Sequence, residues 1–212
     1  PRPLSPARPL SPAHRRSSSV ATGCAIILAA GYSSRMGAFK PLLELGGVPA
    51  LTRVIAAFRS VGATIVVTGY ERERLRPLLS GVTEVYNPRF ADGMLSSVKA
   101  GIKACRADFA LIAPVDCALI SEPLVLEVMR HPSGLAIPCY LGEEGHPLKV
   151  DASYFAEILA YSGGGGLRGF LEGYESRIAR FETAYEGAIL DMDTPEDYAR
   201  LVIKGDAGNG RT

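Results

Sequence analysis

CAIILAAGYSSRMGAFKP, residues Cys24 to Pro41, is the stretch on which the fold turns. Its first part, Cys24 to Ala29, is apolar and unbroken, as a strand buried on both faces would be. The character then changes: Gly31 and Gly37 bracket a loop that carries two serines and Arg35 and ends in Lys40-Pro41. Glycines let a backbone turn tightly and bring its N–H groups together on phosphate oxygens. Arg35 adds a planar fork of donors and Lys40 a mobile point charge. The combination suits the tail of a nucleoside triphosphate, and its structural alternative is an ordinary Gly/Ser turn.

The loop has neither the Gly-Lys-Ser/Thr of a P-loop nor the Gly-x-Gly-x-x-Gly spacing of a dinucleotide site. In order, Leu28 to Lys40 reads L-A-A-G-x-S-x-R-M-G-x-x-K. This resembles the signature loop of the MobA-like nucleotidyltransferases, and among them most the molybdenum cofactor cytidylyltransferases. The resemblance runs from about Cys24 to Leu201. It implies that Leu28, Ala29, Ala30, Gly31, Ser33, Arg35 and Lys40 bind the nucleotide, and that Arg35 and Lys40 also serve the reaction.

The chain has 212 residues, 47% of them hydrophobic, enough for one domain with a sizeable core. A net charge of +1 gives no electrostatic reason to bind nucleic acid or membrane. The four cysteines, Cys24, Cys105, Cys117 and Cys139, form no C-x-x-C pair, which suggests reduced thiols and a cytoplasmic protein. Residues 1–22 repeat R-P-L-S-P-A and continue into serines and arginines. Sequence of that kind cannot build a core, so it reads as a disordered leader, a flexible extension or translated upstream region without the apolar stretch of a secretory signal. A single domain is expected over residues 23–204, with a loose tail over 205–212.

Beyond the loop, period and turn signals predict a helix at 49–61 closed by Gly62, a strand at 64–68, a short charged helix at 71–79 and a strand at 83–86. A helix at 94–104, a strand at 109–115, a helix at 122–129 and a strand at 135–140 follow. A turn at 142–145, a helix at 153–161 and a glycine hinge at 163–166 come next. Alternating strands and helices predict an α/β fold with a mostly parallel central sheet and helices on both faces. In such sheets ligands sit beyond the carboxyl ends of the strands, where the loop after the first strand lies. The family resemblance names this a three-layer, Rossmann-like nucleotidyltransferase fold.

Three further places carry chemistry. Asn87 to Val98, NPRFADGMLSSV, is a strand-to-helix connection with turn signals, and it resembles the family segment that lies against the nucleotide base. That implies close approach at Gly93 and a contact from Ser97. Asp116 ends the apolar run at 109–115, at the rim of the sheet, where an acid can cap a helix or help hold a hard cation beside phosphate oxygens. Asp191 to Tyr198, DMDTPEDY, combines a helix start, with Thr194 as cap, Pro195 first and Asp197 third, with two loop acids. The resemblance implies that Asp116 and Asp193 are the metal ligands, for Mg²⁺, and are catalytic.

The resemblance also places His146, in Gly-His-Pro, and Arg168 beside the acceptor. Two departures stand out. Cys117-Ala118 replaces a Gln-Pro pair, and Gly164 stands where the family has an acid. The activity implied is transfer of CMP from CTP to the molybdopterin form of the molybdenum cofactor, with pyrophosphate released and a molybdenum hydroxylase as a possible recipient of the product. Alternatives are a related transferase acting on a sugar phosphate or other small phosphate ester, a nucleotide or cofactor carrier without turnover, and a nicotinamide-dependent oxidoreductase.

Overall fold

The structure is a computed structural model that describes residues 21–209. Most of the predicted leader therefore lies outside the described residues. Its last residue belongs to the folded body: the backbone N–H and hydroxyl of Thr22 both donate to Asp108, at 2.8 and 3.0 Å.

In chain order the strands are β1 (Gly23–Ala29), β2 (Glu44–Leu45), β3 (Val48–Pro49), β4 (Gly62–Thr68), β5 (Thr83–Tyr86), β6 (Phe109–Pro114), β7 (Leu135–Tyr140), β8 (Glu143–Glu144), β9 (Leu148–Asp151) and β10 (Ile178–Glu182). The α-helices are α1 (Ala50–Ala57), α2 (Met94–Ala104), α3 (Glu122–Arg130), α4 (Phe155–Ala160), α5 (Gly166–Glu172) and α6 (Pro195–Asn209). The main sheet runs β10-β7-β9-β6-β1-β4-β5, with β8 hydrogen-bonded to β7. β1 pairs parallel with β4 and β6, and β4 with β5. β9 is antiparallel to both its neighbours.

The apolar run of β1 has the predicted consequence. Successive side chains of a strand point to opposite faces, and here both faces are covered. Ala25, Ile27 and Ala29 pack into a core with α1, α3 and α6. Cys24, Ile26 and Leu28 pack into a second core with α2, α4 and α5. The result is a helix–sheet–helix sandwich with a mostly parallel centre, as expected.

The differences have local causes. The charged segment 71–79 forms two 3₁₀ turns, Arg72–Arg74 and Arg76–Leu78, not an α-helix. Pro77 has no N–H to return to the preceding turn, and it disfavours helical geometry at Arg76. α1 stops at Ala57, and Gly62 opens β4 at φ +115 instead of closing the helix. At the other end α6 runs to Asn209, past residue 204 where a loose tail was expected to begin.

β9 and β10 had no counterpart in the sequence reading. β9 is masked by Lys149, a charged residue at a position that is only 7% exposed. Its ammonium donates to the carbonyls of Met129 and His131 at the end of α3, at 3.2 and 2.6 Å, and lies 5.0 Å from the Phe109 ring centre. A cation there satisfies carbonyls that the helix end leaves without partners.

Candidate active site

The parallel register sets the site. Leu28 is opposite Pro114, and the Val115 N–H donates to the Leu28 carbonyl at 3.0 Å. Asp116 therefore emerges beside the start of the glycine loop. Asp193 arrives from the other end of the chain. Met192 is fully buried between two acids and anchors that segment, while Thr194 and Asp197 exchange hydrogen bonds at the start of α6 in a capping-box arrangement. The Tyr198 hydroxyl donates to the Glu44 carbonyl, 2.7 Å away, and ties the helix to β2.

The loop is braced from within. Ser33 has a left-handed backbone, φ +57, and its hydroxyl accepts the Lys40 N–H at 3.0 Å. Gly37 also needs positive φ, at +67. Gly31 does not, and a Cβ there would meet nothing within 4 Å, so its lack of a side chain leaves the backbone open instead of tightening a turn. Closing the loop on itself turns the Lys40 side chain inward. Its ammonium bonds Asp116 at 3.0 Å and Asp193 at 2.7 Å, and Arg35 reaches the other oxygen of Asp193 at 2.7 Å.

Two cations thus meet two acids drawn from positions 76 and 153 residues beyond Lys40. Burial works against the Lys40 charge, but the hydrogen bonds and charges of Asp193 and Asp116 outweigh it and hold its pKa above the ordinary value. Asp191, the other loop acid of this segment, is exposed, as a solvated loop acid should be. Its surroundings and the charges of Asp193 and Asp116 push its pKa up. It belongs to the electrostatics of the site.

Leu28, Ala29, Ala30, Gly31, Ser33, Lys40, Gly93, Ser97 and Asp116 all line one cleft of about 320 Å³. Gly93 sits at φ +96, a conformation that a side chain resists. Ser97 is held by Asn87, whose amide donates to the hydroxyls of Ser96 and Ser97 at 2.8 and 3.0 Å. The Oδ1 of Asn87, which opens the turn signal Asn87-Pro88, takes the Arg89 N–H at 3.0 Å, which explains the turn and the hub together. Tyr32, Phe90 and Met94 also line it, and as scattered apolar residues of three different segments they carry no sequence pattern.

The two acceptor-side residues separate. His146 lies close enough to Asp116 to feel its charge, and its buried Nδ1 has no hydrogen-bond partner among the described residues. Neither lines the cleft, and Arg168 is exposed on α5, 4.0 Å from Glu172. Burial pushes the His146 pKa below its ordinary 6.5, with Asp116 pulling partly back, and burial lowers His131 as well. For a depressed histidine the unfolded chain takes the proton first. The stability is present above the unfolded value and is lost as pH falls through the folded one. Melting temperature should therefore decline on acidification from neutral pH, and His146→Gln should flatten that slope, leaving the share of His131; an unchanged slope would contradict the burial.

Two carboxylates that share one ammonium are near enough to share a metal ion. Hard oxygen donors in that number, with no cage of three or more ligands among the described residues, suit Mg²⁺ completed by phosphate oxygens and water. The site can thus combine a cationic loop, an acid pair and a partly apolar cleft.

A family model described as the MobA-like NTP transferase domain matches residues 25–179. The chain is 30% identical over 179 residues to the molybdenum cofactor cytidylyltransferase of Escherichia coli, covering 82% of this chain and 92% of that one. It is 28% identical over 182 residues to the molybdenum cofactor guanylyltransferase of Xanthomonas euvesicatoria, covering 84% and 93%. A nucleotidyl transferase from Methanothermobacter superposes with a TM-score of 0.79 at 23% identity, over 89% of this chain and 99% of that one.

Proposed function

The chain belongs to the MobA-like NTP transferase family and is a nucleotidyltransferase, and from that premise we propose that it moves CMP from CTP onto the phosphate of the molybdopterin form of the molybdenum cofactor. The observation that carries the reading is Lys40 held between Asp116 and Asp193 at the mouth of the glycine loop. An oxygen of the acceptor phosphate attacks the α-phosphorus. The new P–O bond forms as the bond to the bridging oxygen breaks, and pyrophosphate leaves. Little proton chemistry is needed, so the work is positioning and charge neutralisation.

Lys40 and Arg35 draw in and neutralise the phosphate tail, and the backbone from Leu28 to Gly31 and Ser33 forms the wall it lies along. Asp116 and Asp193 would hold Mg²⁺, which when bound offsets negative charge at the reacting phosphates. Gly93 and Ser97 face the nucleoside. His146, half-buried beside Asp116 and with an Nδ1 that has no partner among the described residues, is suited to hydrogen-bond the acceptor. The choice of CTP rests on Ala29-Ala30 in the loop and on the E. coli relative.

The test is pyrophosphate release with Mg²⁺ and the molybdopterin cofactor, comparing CTP with GTP. Release with CTP alone is the expected result. Release with GTP alone would replace the base and keep the transfer, and nucleotide binding without release would indicate a carrier. Arg168 lies outside the cleft, which favours a second acceptor class, sugar phosphates or other small phosphate esters, as the next panel.

A further inference from the structure

Tyr32 is half exposed, yet its ring is held in place. It packs at 5.2 Å against Tyr70 and at 5.1 Å against Phe90, both tilted. Each support is itself fixed. The Tyr70 N–H donates to the Ala30 carbonyl at 3.1 Å, and the Tyr70 ring meets Phe39 edge-on at 5.9 Å. Phe90 sits on Gly69: a Cβ at that position would come within 2.7 Å of the Phe90 side chain and of the Ala30 carbonyl. The glycine exists to let ring and loop close together.

Tyr32 and Phe90 line the same cleft as Ser33, Lys40 and Asp116, together with Met94, whose side chain is 54% exposed. The cleft therefore has two ends of different chemistry, one charged for phosphate and one aromatic and apolar. The Tyr32 ring is propped on two others, yet half of it is left uncovered at the cleft. Nucleobases stack on such faces whatever their hydrogen-bonding edge.

We propose that Tyr32, backed by Phe90 and Tyr70, is the shelf on which the nucleobase stacks, with Met94 completing the apolar wall. This rests on the nucleotidyltransferase reading of the same cleft. The shelf supplies affinity for a base as such; the polar groups around Ser97 are left to choose which base.

The experiment is calorimetric binding of CTP, GTP and inorganic tripolyphosphate, each with Mg²⁺, to the parent protein and to Tyr32→Ala and Tyr32→Phe. Tyr32→Ala should weaken both nucleotides by roughly ten-fold. It should leave tripolyphosphate, which has no base, bound as before, and Tyr32→Phe should restore the nucleotides. Saturation-transfer NMR on the base protons of CTP should show the same loss. Equal weakening of tripolyphosphate, or unchanged binding of CTP, would overturn the shelf alone. Failure of the parent protein to bind any nucleoside triphosphate would overturn the nucleotide reading and the shelf with it.

Discussion

Asp116→Asn should lower kcat for pyrophosphate release by about 10³-fold, close to 4 kcal/mol of barrier, and leave the melting temperature nearly unchanged. The two halves of that expectation have separate causes. Asparagine keeps the shape and can still accept from Lys40, but it removes a full negative charge from one of the two carboxylates that would hold the metal ion. Folding is less affected, because Asp116, Asp191 and Asp193 repel one another, offset among the described residues by the pairs of Lys40 and Arg35. Removing one acid relieves repulsion as well as breaking a pair. Asp193→Asn should behave alike in rate, and the pair Asp116→Asn with Asp193→Asn should lose little more than either alone if both serve one ion. A single variant retaining activity within about ten-fold of the parent would end the metal assignment.

Lys40→Met should be as damaging to turnover and, unlike the acid variants, destabilising in a pH-dependent way. For the reaction, a preorganised cation aimed at the phosphate tail is lost, with a cost of roughly 10²- to 10³-fold in kcat/KM. For the fold, the pairs of Lys40 with Asp116 and Asp193 are lost, and Asp193 keeps the exposed Arg35. The sign follows from Asp191. Its folded pKa is already raised by its surroundings and by Asp193 and Asp116, and Lys40 is among the charges holding it down. A carboxyl with a raised folded pKa contributes stability that is present below its unfolded value and lost as pH rises through the folded one. Without Lys40 that loss deepens. Melting curves of parent and variant should lie closer together near the ordinary carboxyl value of 3.8 than at neutral pH; a pH-independent gap would mean that Lys40 acts by packing alone.

Where the sequence reading succeeded, the signal was local and repeated. The run Cys24 to Ala29 is apolar at every position because both faces of β1 are covered, and nothing else explains six such residues before a glycine loop. The periodicity of α2 and the β-branched and aromatic residues of β5 gave their bounds as the structure has them. It failed where a local breaker outweighed helix-forming neighbours, and where a contact from far away overrides local character. Pro77 broke a charged helix that composition alone suggested. Lys149 hid a central strand, because only the carbonyls at the end of α3 make a buried ammonium tolerable there.

The candidate site divides along the same line. That a cationic glycine loop, a rim acid and a DxD segment are present is written in the chain and needs no coordinates. That Lys40 turns inward to touch both acids, that Arg168 stays outside the cleft, and that Tyr32 is propped on two other rings were decided by the tertiary structure. The reason is distance along the chain: a residue's type and spacing fix its own element, but a contact across 153 residues exists only after the sheet has set the order of its strands.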